Sequence, residues 1–328
     1  MKTRTAARLG RSVSVIGLGT WQLGADWGEV TETDARAVLE ASVEAGVTIF
    51  DTADVYGDGR SERIIGSYLV DRPELDIMVA TKIGRRVALD PALYTLENLG
   101  AWIDRSRANL RQDTLDLVQL HCPPTPVFSD DRVFDALDML VAAGAIARYG
   151  VSVETAEEAL TAIARPGVAS VQLVLNAFRL KPLDAVLPAA MEAGVAIIAR
   201  VPLASGLLSG KYRNDTVFAE NDHRNYNRGG KVFDAGETFS GVEYEEGVAA
   251  AAEFVQLADA QGLKAPVAAL AWLAQLPGVT TAIPGARNIA QAQSNASAGS
   301  VADLGPQFSA HIVELYDRYF RASVHERW

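Results

Sequence analysis

Three short apolar runs each end in side chains able to hold or move a proton: FDTADVYGDGRSE carries Asp51 and Tyr56, MVATKIG carries Lys82, and VQLHCPP carries His121. A free tyrosine titrates at about 10, too high for easy proton release near neutrality, and a nearby ammonium stabilises the phenolate and lowers that value. Lys82 could supply that ammonium, with Asp51 holding it protonated and aimed at Tyr56. His121 could donate a hydrogen bond that orients a substrate oxygen. A general acid tuned in this way contributes about 10² to 10⁴ in rate. Taken singly, each residue has a plainer reading. An Asp before Thr caps turns, a Tyr in a glycine-rich loop packs, and a strand-end Lys lays its stem along apolar surface. Their joint placement after consecutive runs favours chemistry.

Two other chemistries use the same residues. Lys82 as a Schiff-base nucleophile would need a desolvated amine of low pKa, and an acid such as Asp51 beside it argues against that. A metal centre would need several ligands at close spacing, whereas the histidines at 121, 223, 311 and 325 are scattered. No metal is assigned.

These residues must be positioned by an alternating framework. β-branched apolar runs at Val15 to Leu18, Thr48 to Phe50, Ile77 to Ala80, Leu117 to Leu120, Ala147 to Val151, Ser170 to Leu175, Val195 to Ala199 and Val279 to Ile283 read as eight strands. Amphipathic stretches at Glu32 to Glu44, Leu96 to Leu110, Val133 to Val141 and Thr155 to Ile163 read as crossover helices. The pattern is α/β with parallel pairing, and it suits either a closed barrel or an open doubly wound sheet. In a barrel, chemistry belongs at the C-terminal ends of strands, where the four residues fall. A hairpin is expected over Thr5 to Ile16. No linker divides the chain, which reads as one domain over residues 1–328. Tyr212 to Gly247 has no sustained apolar period and reads as a long loop after the seventh strand; its aromatic residues favour a lid over a tail.

Hydrophobic residues make up 49% of the 328 and charged residues 22%, a globular composition. A formal charge of -11 argues against nucleic acid and acidic membranes as partners. No apolar signal segment or membrane-length run is present. The single cysteine, Cys122, cannot form an internal disulfide, so the cytoplasm is the expected compartment.

Gly17-Leu18-Gly19 lacks the third glycine of a Rossmann fingerprint. A barrel commonly binds phosphate with the loops after its seventh and eighth strands, here PLASGLLSGKY and IPGARNIAQAQSN. In the second, Asn288 can cap a helix, and the guanidinium of Arg287 suits bidentate recognition of a 2'-phosphate.

GLGTW, DTADVYGDGRSE, TK, LDLVQLH, YGVS, SVQLVLNAFR, PLASGLLSGK and IPGAR follow in that order, and the chain closely resembles the aldo-keto reductase superfamily over nearly its whole length. The resemblance implies a (β/α)8 TIM barrel with NADPH extended across its C-terminal face. It implies hydride transfer to a small-molecule aldehyde or ketone, with Tyr56 as general acid in a tetrad of Asp51, Tyr56, Lys82 and His121. It places carboxamide contacts on Ser152 and Gln172. Phosphate contacts fall on Leu203, Ser205, Gly206, Leu208, Lys211, Arg287, Gln291 and Asn295. Gly19, Thr20 and Trp21 lie beside the nicotinamide, and Asp51, Pro202, Ile283 and Gly285 complete the cofactor set. Because the fold also serves binding roles, the rival reading is an NADPH-binding sensor or regulatory subunit with little turnover.

Three departures from the family pattern stand out. Val153 replaces an asparagine that would hold the carboxamide. Gly285 replaces a lysine for the 2'-phosphate, which leaves NADPH preference on Arg287 and NADH open. Arg200 replaces an aromatic residue that stacks on the nicotinamide; its guanidinium can also stack, and its charge is expected to penalise the cationic oxidised ring. Trp21, Trp27 and Tyr56 suggest an aromatic-walled substrate pocket, with the RYFRASVHERW tail as a candidate further wall.

Overall fold

The first two strands form a lid on the wrong end for chemistry: β1 (Thr3–Thr5) and β2 (Ser12–Ser14) pair antiparallel, and Arg4 donates to the carbonyls of Leu276 and Val279, where the last barrel strand begins. The computed structural model describes residues 1–24, 30–220, 222–228, 232 and 236–328. The hairpin lies slightly before the stretch expected from sequence. Residues Val15 to Gly17 instead join the barrel, with Ala282 N–H donating to Val15 O at 3.0 Å and Gly17 N–H to Ala282 O at 2.8 Å.

Eight parallel strands follow: β3 (Leu18–Gly19), β4 (Ile49–Asp51), β5 (Met78–Ile83), β6 (Leu117–His121), β7 (Tyr149–Ser152), β8 (Val168–Val174), β9 (Ala196–Arg200) and β10 (Val279–Ala282). Each pairs with its neighbour in sequence. Parallel bridges from Ile16 to Ala282 and from Gly19 to Gly285 join the first strand to the last. That closure selects the barrel over the open sheet. Nearly every strand residue is buried, as expected when one face meets the barrel interior and the other a layer of helices. Inside, Ile49, Met78, Ala80, Leu117, Ala196 and Ile198 pack together, and Ala6, Leu9 and Val13 of the hairpin segment plug that end.

The crossovers are α1 (Glu32–Glu44), α2 (Arg60–Val70), α3 (Leu96–Leu110), α4 (Asp131–Ala142), α5 (Ala156–Ile163) and α6 (Val186–Ala193). Thr31, Thr95, Asp130 and Thr155 cap their N-termini with side-chain oxygens, Thr155 in a reciprocal box with Glu158. Between β9 and β10 the chain makes a short turn, α7 (His223–Tyr226), and then two full helices, α8 (Tyr244–Ala260) and α9 (Ala265–Gln275). The expected long loop is therefore real, but it ends before Gly247, because Tyr244 already opens α8. After β10 come α10 (Ile289–Ser297), capped as expected by Asn288, and α11 (Gly305–Tyr319).

Candidate active site

Backbone pairing carries the site beyond the end of β4: Thr52 N–H donates to Ala80 O at 2.8 Å and Asp54 N–H to Lys82 O at 3.0 Å. The chain then turns through Gly57, Asp58 and Gly59, whose φ values of 57°, 48° and 83° are all left-handed. A Cβ at Gly57 would lie 2.1 Å from Gly24 O, so glycine is required for the loop to seat there. Arg105 of α3 donates to the carbonyls of Asp54 at 3.1 Å and Asp58 at 2.9 Å. Both Arg105 and Arg86 pair with the exposed Asp58 carboxylate. Tyr56 sits within this clamped turn. Beneath it a chain of buried hydroxyls runs from Thr52 to Ser61 to Thr20 to the carbonyl of Asp51 at 2.9, 2.8 and 2.8 Å.

The structure brings the four residues together. Lys82 is 1% exposed and its Nζ donates to Asp51 Oδ2 at 2.6 Å, Thr52 O at 3.0 Å and Tyr56 OH at 3.3 Å. The ring of His121 meets that of Tyr56 edge-on at 6.1 Å. Burial alone would push the Lys82 amine down, but the Asp51 carboxylate and Tyr56 outweigh it, and the pKa is raised. Lys82 stays an ammonium. Burial pushes the Tyr56 phenol up, and the opposing pull of Lys82 does not fully offset it. The expectation of a lowered phenol is thus corrected: with the site as it stands, Tyr56 holds its proton. Burial, reinforced by the charges of Lys82, Arg85 and Arg200, holds His121 well below the ordinary histidine value. It is a neutral imidazole, able to donate from one ring nitrogen. Its Nδ1 is buried without a hydrogen-bond partner.

A cleft of about 690 Å³ runs from Asp51 and Tyr56 across the strand ends to α10. Of the residues expected from sequence, Gly19, Thr20, Trp21, Gln172, Arg200, Pro202, Leu203, Ser205, Gly206, Lys211, Ile283, Gly285, Arg287, Gln291 and Asn295 border it with Asp51 and Tyr56. Lys82, His121, Ser152 and Leu208 do not. Lys82 and His121 lie just behind Tyr56, Ser152 faces Cys122, and Leu208 is fully buried in the core. Gln172 also braces the acid of the tetrad, because its Nε2 donates to Asp51 Oδ1 at 2.7 Å.

The shape fits an extended dinucleotide. At the β9 end, Val201, Ala204, Ser205 and Gly206 all have positive φ, and the N–H groups of Ala204 and Gly206 donate to the carbonyls of Val201 and Leu203 at 3.0 and 2.8 Å, which folds the chain into a tight turn along the cleft. At the other end Gln291 Oε1 accepts from Arg287 N–H at 2.9 Å and Asn295 donates to Gly285 O at 3.1 Å, which fixes the turn that presents the half-buried Arg287. A Cβ at Gly285 would come 2.1 Å from the Gln22 amide, so a larger residue there needs the end of that flexible side chain to swing aside.

Sequence reasoning missed Gln22, Tyr212, His223, Arg224, Glu237 and Lys264, all of which border the cleft. Most come from the loop after β9, where no periodicity marks them. His223 lies against Trp21 with ring centres 5.1 Å apart, and burial lowers its pKa to about 4, so it is neutral. Arg200 requires a correction. It is buried and forms ion pairs with both Glu154 and Glu237, so the charge expected to act on the ring is shared with two carboxylates that the sequence did not reveal. The C-terminal tail does not border the cleft; Trp328 instead stacks on Arg179 at 3.8 Å, and His325 Nε2 meets Asp184 at 2.9 Å. Trp27 lies outside the described residues. Among the described residues, no helix is long and apolar enough to cross a membrane.

Comparison with known proteins places this geometry. The aldo/keto reductase family model matches residues 15–317. An uncharacterized oxidoreductase of Mycobacterium tuberculosis is 34% identical over 299 residues, covering 88% of this chain and 85% of that protein. The aldo-keto reductase YhdN of Bacillus subtilis is 29% identical over 303 residues, covering 90% and 87%. The structure of the glycerol dehydrogenase AKR11B4 from Gluconobacter oxydans superposes with a TM-score of 0.77 at 27% identity, covering 97% of this chain and 96% of that one. With a closed eight-stranded barrel, a buried lysine between an acid and a phenol, and a family match over most of its length, the chain belongs to the aldo/keto reductase family.

Proposed function

We propose that the protein reduces an aldehyde or ketone to an alcohol with NADPH, Tyr56 acting as general acid. The observation that carries this reading is the contact of the Lys82 ammonium with both Asp51 and the Tyr56 hydroxyl at one end of an elongated cleft. When bound there, NADPH supplies the hydride that the carbonyl carbon accepts. Tyr56 gives its proton to the carbonyl oxygen, and Lys82 stabilises the phenolate left behind. Asp51 keeps Lys82 charged, and Gln172 keeps Asp51 in place. Neutral His121 donates to the carbonyl oxygen and fixes its direction toward Tyr56. Arg287 and the turn at residues 203–206 hold the phosphates.

The test is NADPH oxidation followed at 340 nm against a panel of aldehydes, ketones and sugars, with NADH in parallel. Turnover that Tyr56→Phe lowers at least about 10²-fold while NADPH binding survives supports the reading. Tight NADPH binding with no turnover across the panel refutes it in favour of a nicotinamide-binding sensor.

A further inference from the structure

Arg200 closes β9 and borders the same cleft as Asp51 and Tyr56, and its guanidinium reaches the Sγ of Cys122, the residue after His121, at 3.8 Å. A ring placed to deliver hydride beside the Tyr56 hydroxyl therefore lies in the field of that charge. Glu237 borders the cleft as well and pairs with Arg200. It arrives from the loop after β9, where Ser205 Oγ donates to Glu237 O at 2.9 Å, Phe239 N–H donates to Ser205 Oγ at 3.0 Å, and Asn176 donates to Ser240 Oγ at 2.6 Å.

Behind Arg200 lie a second carboxylate and a second guanidinium. Glu154 pairs with Arg200, and Arg179 donates to Glu154 O at 2.9 Å. Neither Glu154 nor Arg179 borders the cleft, whereas Glu237 does. Seating the Glu237 carboxylate on Arg200 therefore lowers the positive charge that the cleft meets, and withdrawing it raises that charge.

A nicotinamide carries one more positive charge oxidised than reduced, so the two states respond differently to this pair. Building on the reductase reading above, we propose that Glu237 sets the relative affinity for oxidised and reduced cofactor by cancelling the Arg200 charge beside the ring. Reciprocity follows, because two binding equilibria that influence one another do so equally in both directions. The oxidised cofactor holds the Glu237 segment down more firmly than the reduced one does. Once the segment lifts, Arg200 keeps its pairing with Glu154 but loses the Glu237 charge, and the added positive charge repels the oxidised ring and speeds its departure.

The experiment measures dissociation constants for NADP+ and NADPH, by quenching of tryptophan fluorescence, on wild type, Glu237→Gln, Arg200→Gln and the double variant. A charge unmasked at this range costs NADP+ at least about fivefold relative to NADPH in Glu237→Gln, and the double variant returns the ratio to within about twofold of wild type. A ratio that Glu237→Gln leaves within about twofold, or a shift that persists in the double variant, overturns the proposal. The wild type gives a second readout. Protease cleavage between Asn214 and Gly241 is expected to be slower with saturating NADP+ than with saturating NADPH, and equal protection overturns the coupling. Failure of the wild type to bind either nucleotide would instead overturn the reductase reading on which the proposal rests.

Discussion

Gln172 reaches from β8 across the barrel mouth to donate to Asp51 Oδ1 at 2.7 Å, while Lys82 holds the other oxygen of the same carboxylate at 2.6 Å. Asp51 is thereby fixed from two sides. Replacing Gln172 with Glu sets two carboxyl groups against each other and pushes the pKa of one of them up. We expect kcat at pH 8 to fall about 10-fold or more and to recover partly at pH 6, as the new acid takes up a proton. A flat profile with full activity would show that Asp51 needs no brace.

Asp51→Asn leaves the Lys82 ammonium buried opposite a neutral amide. Breaking one side of a buried pair typically costs about 3–5 kcal/mol. A loss of that order in urea unfolding is expected, together with a fall in kcat of at least about 10². The two effects separate if Asp51→Asn retains full stability but not activity, which would assign the residue to catalysis alone.

His121 and Asp54 act on pH stability in opposite senses. The His121 pKa is depressed in the folded protein by burial first and nearby cations second. The unfolded chain therefore gains a proton that the native one refuses as pH falls below about 6.5, so this stability is present above that value and lost below it. Asp54 is raised to about 7 by burial and the neighbouring Glu62. Its contribution is fully present below about 3.9, the unfolded value, and is lost as pH rises through about 7. Asp54→Asn should therefore raise Tm relative to wild type by at least about 3 °C more at pH 8 than at pH 5. His121→Gln should flatten the decline on the acid side. Melting curves over pH 5 to 8.5 check both signs.

Arg287 is the predicted 2'-phosphate ligand. Arg287→Ala should weaken NADPH about tenfold or more, the cost of losing a charge-assisted hydrogen bond, and leave NADH within about twofold. Isothermal titration with both nucleotides reads the difference; equal losses would move the phosphate to Lys211 or Lys264.

The loop after β9 is tied to the barrel by Ser205 and Asn176, and it borders the cleft. Added NADPH should slow protease cleavage between Asn214 and Gly241, and identical digestion with and without cofactor would count against closure over the dinucleotide.

Much of this site could be read from the chain, for a physical reason. Asp51 and His121 terminate strands and Lys82 stands one residue from the end of another, so recognising a strand is enough to place its end on the rim. Tyr56 follows because the glycine turn after β4 is short. Arg287 and Asn288 are local to one helix start. Partnerships across the fold were not legible. Arg200 meets Glu154 and Glu237 only after β7, β9 and the following loop converge, and nothing near residue 200 in sequence announces either acid. Desolvation was equally hidden, because the rise of the Tyr56 phenol depends on what covers it, and the charge of Lys82 could be read while the cover could not.

The turn that presents Tyr56 is secured at the surface, where Arg86 and Arg105 converge on an Asp58 carboxylate whose side chain is 73% exposed. Ions in solution screen such pairs over a Debye length of about 10 Å at 0.1 M, yet they hardly reach the Lys82 and Asp51 pair, whose side chains are 1% and 4% exposed. Rising ionic strength therefore slackens the mounting of the phenol before it touches the buried pair that holds its proton chemistry.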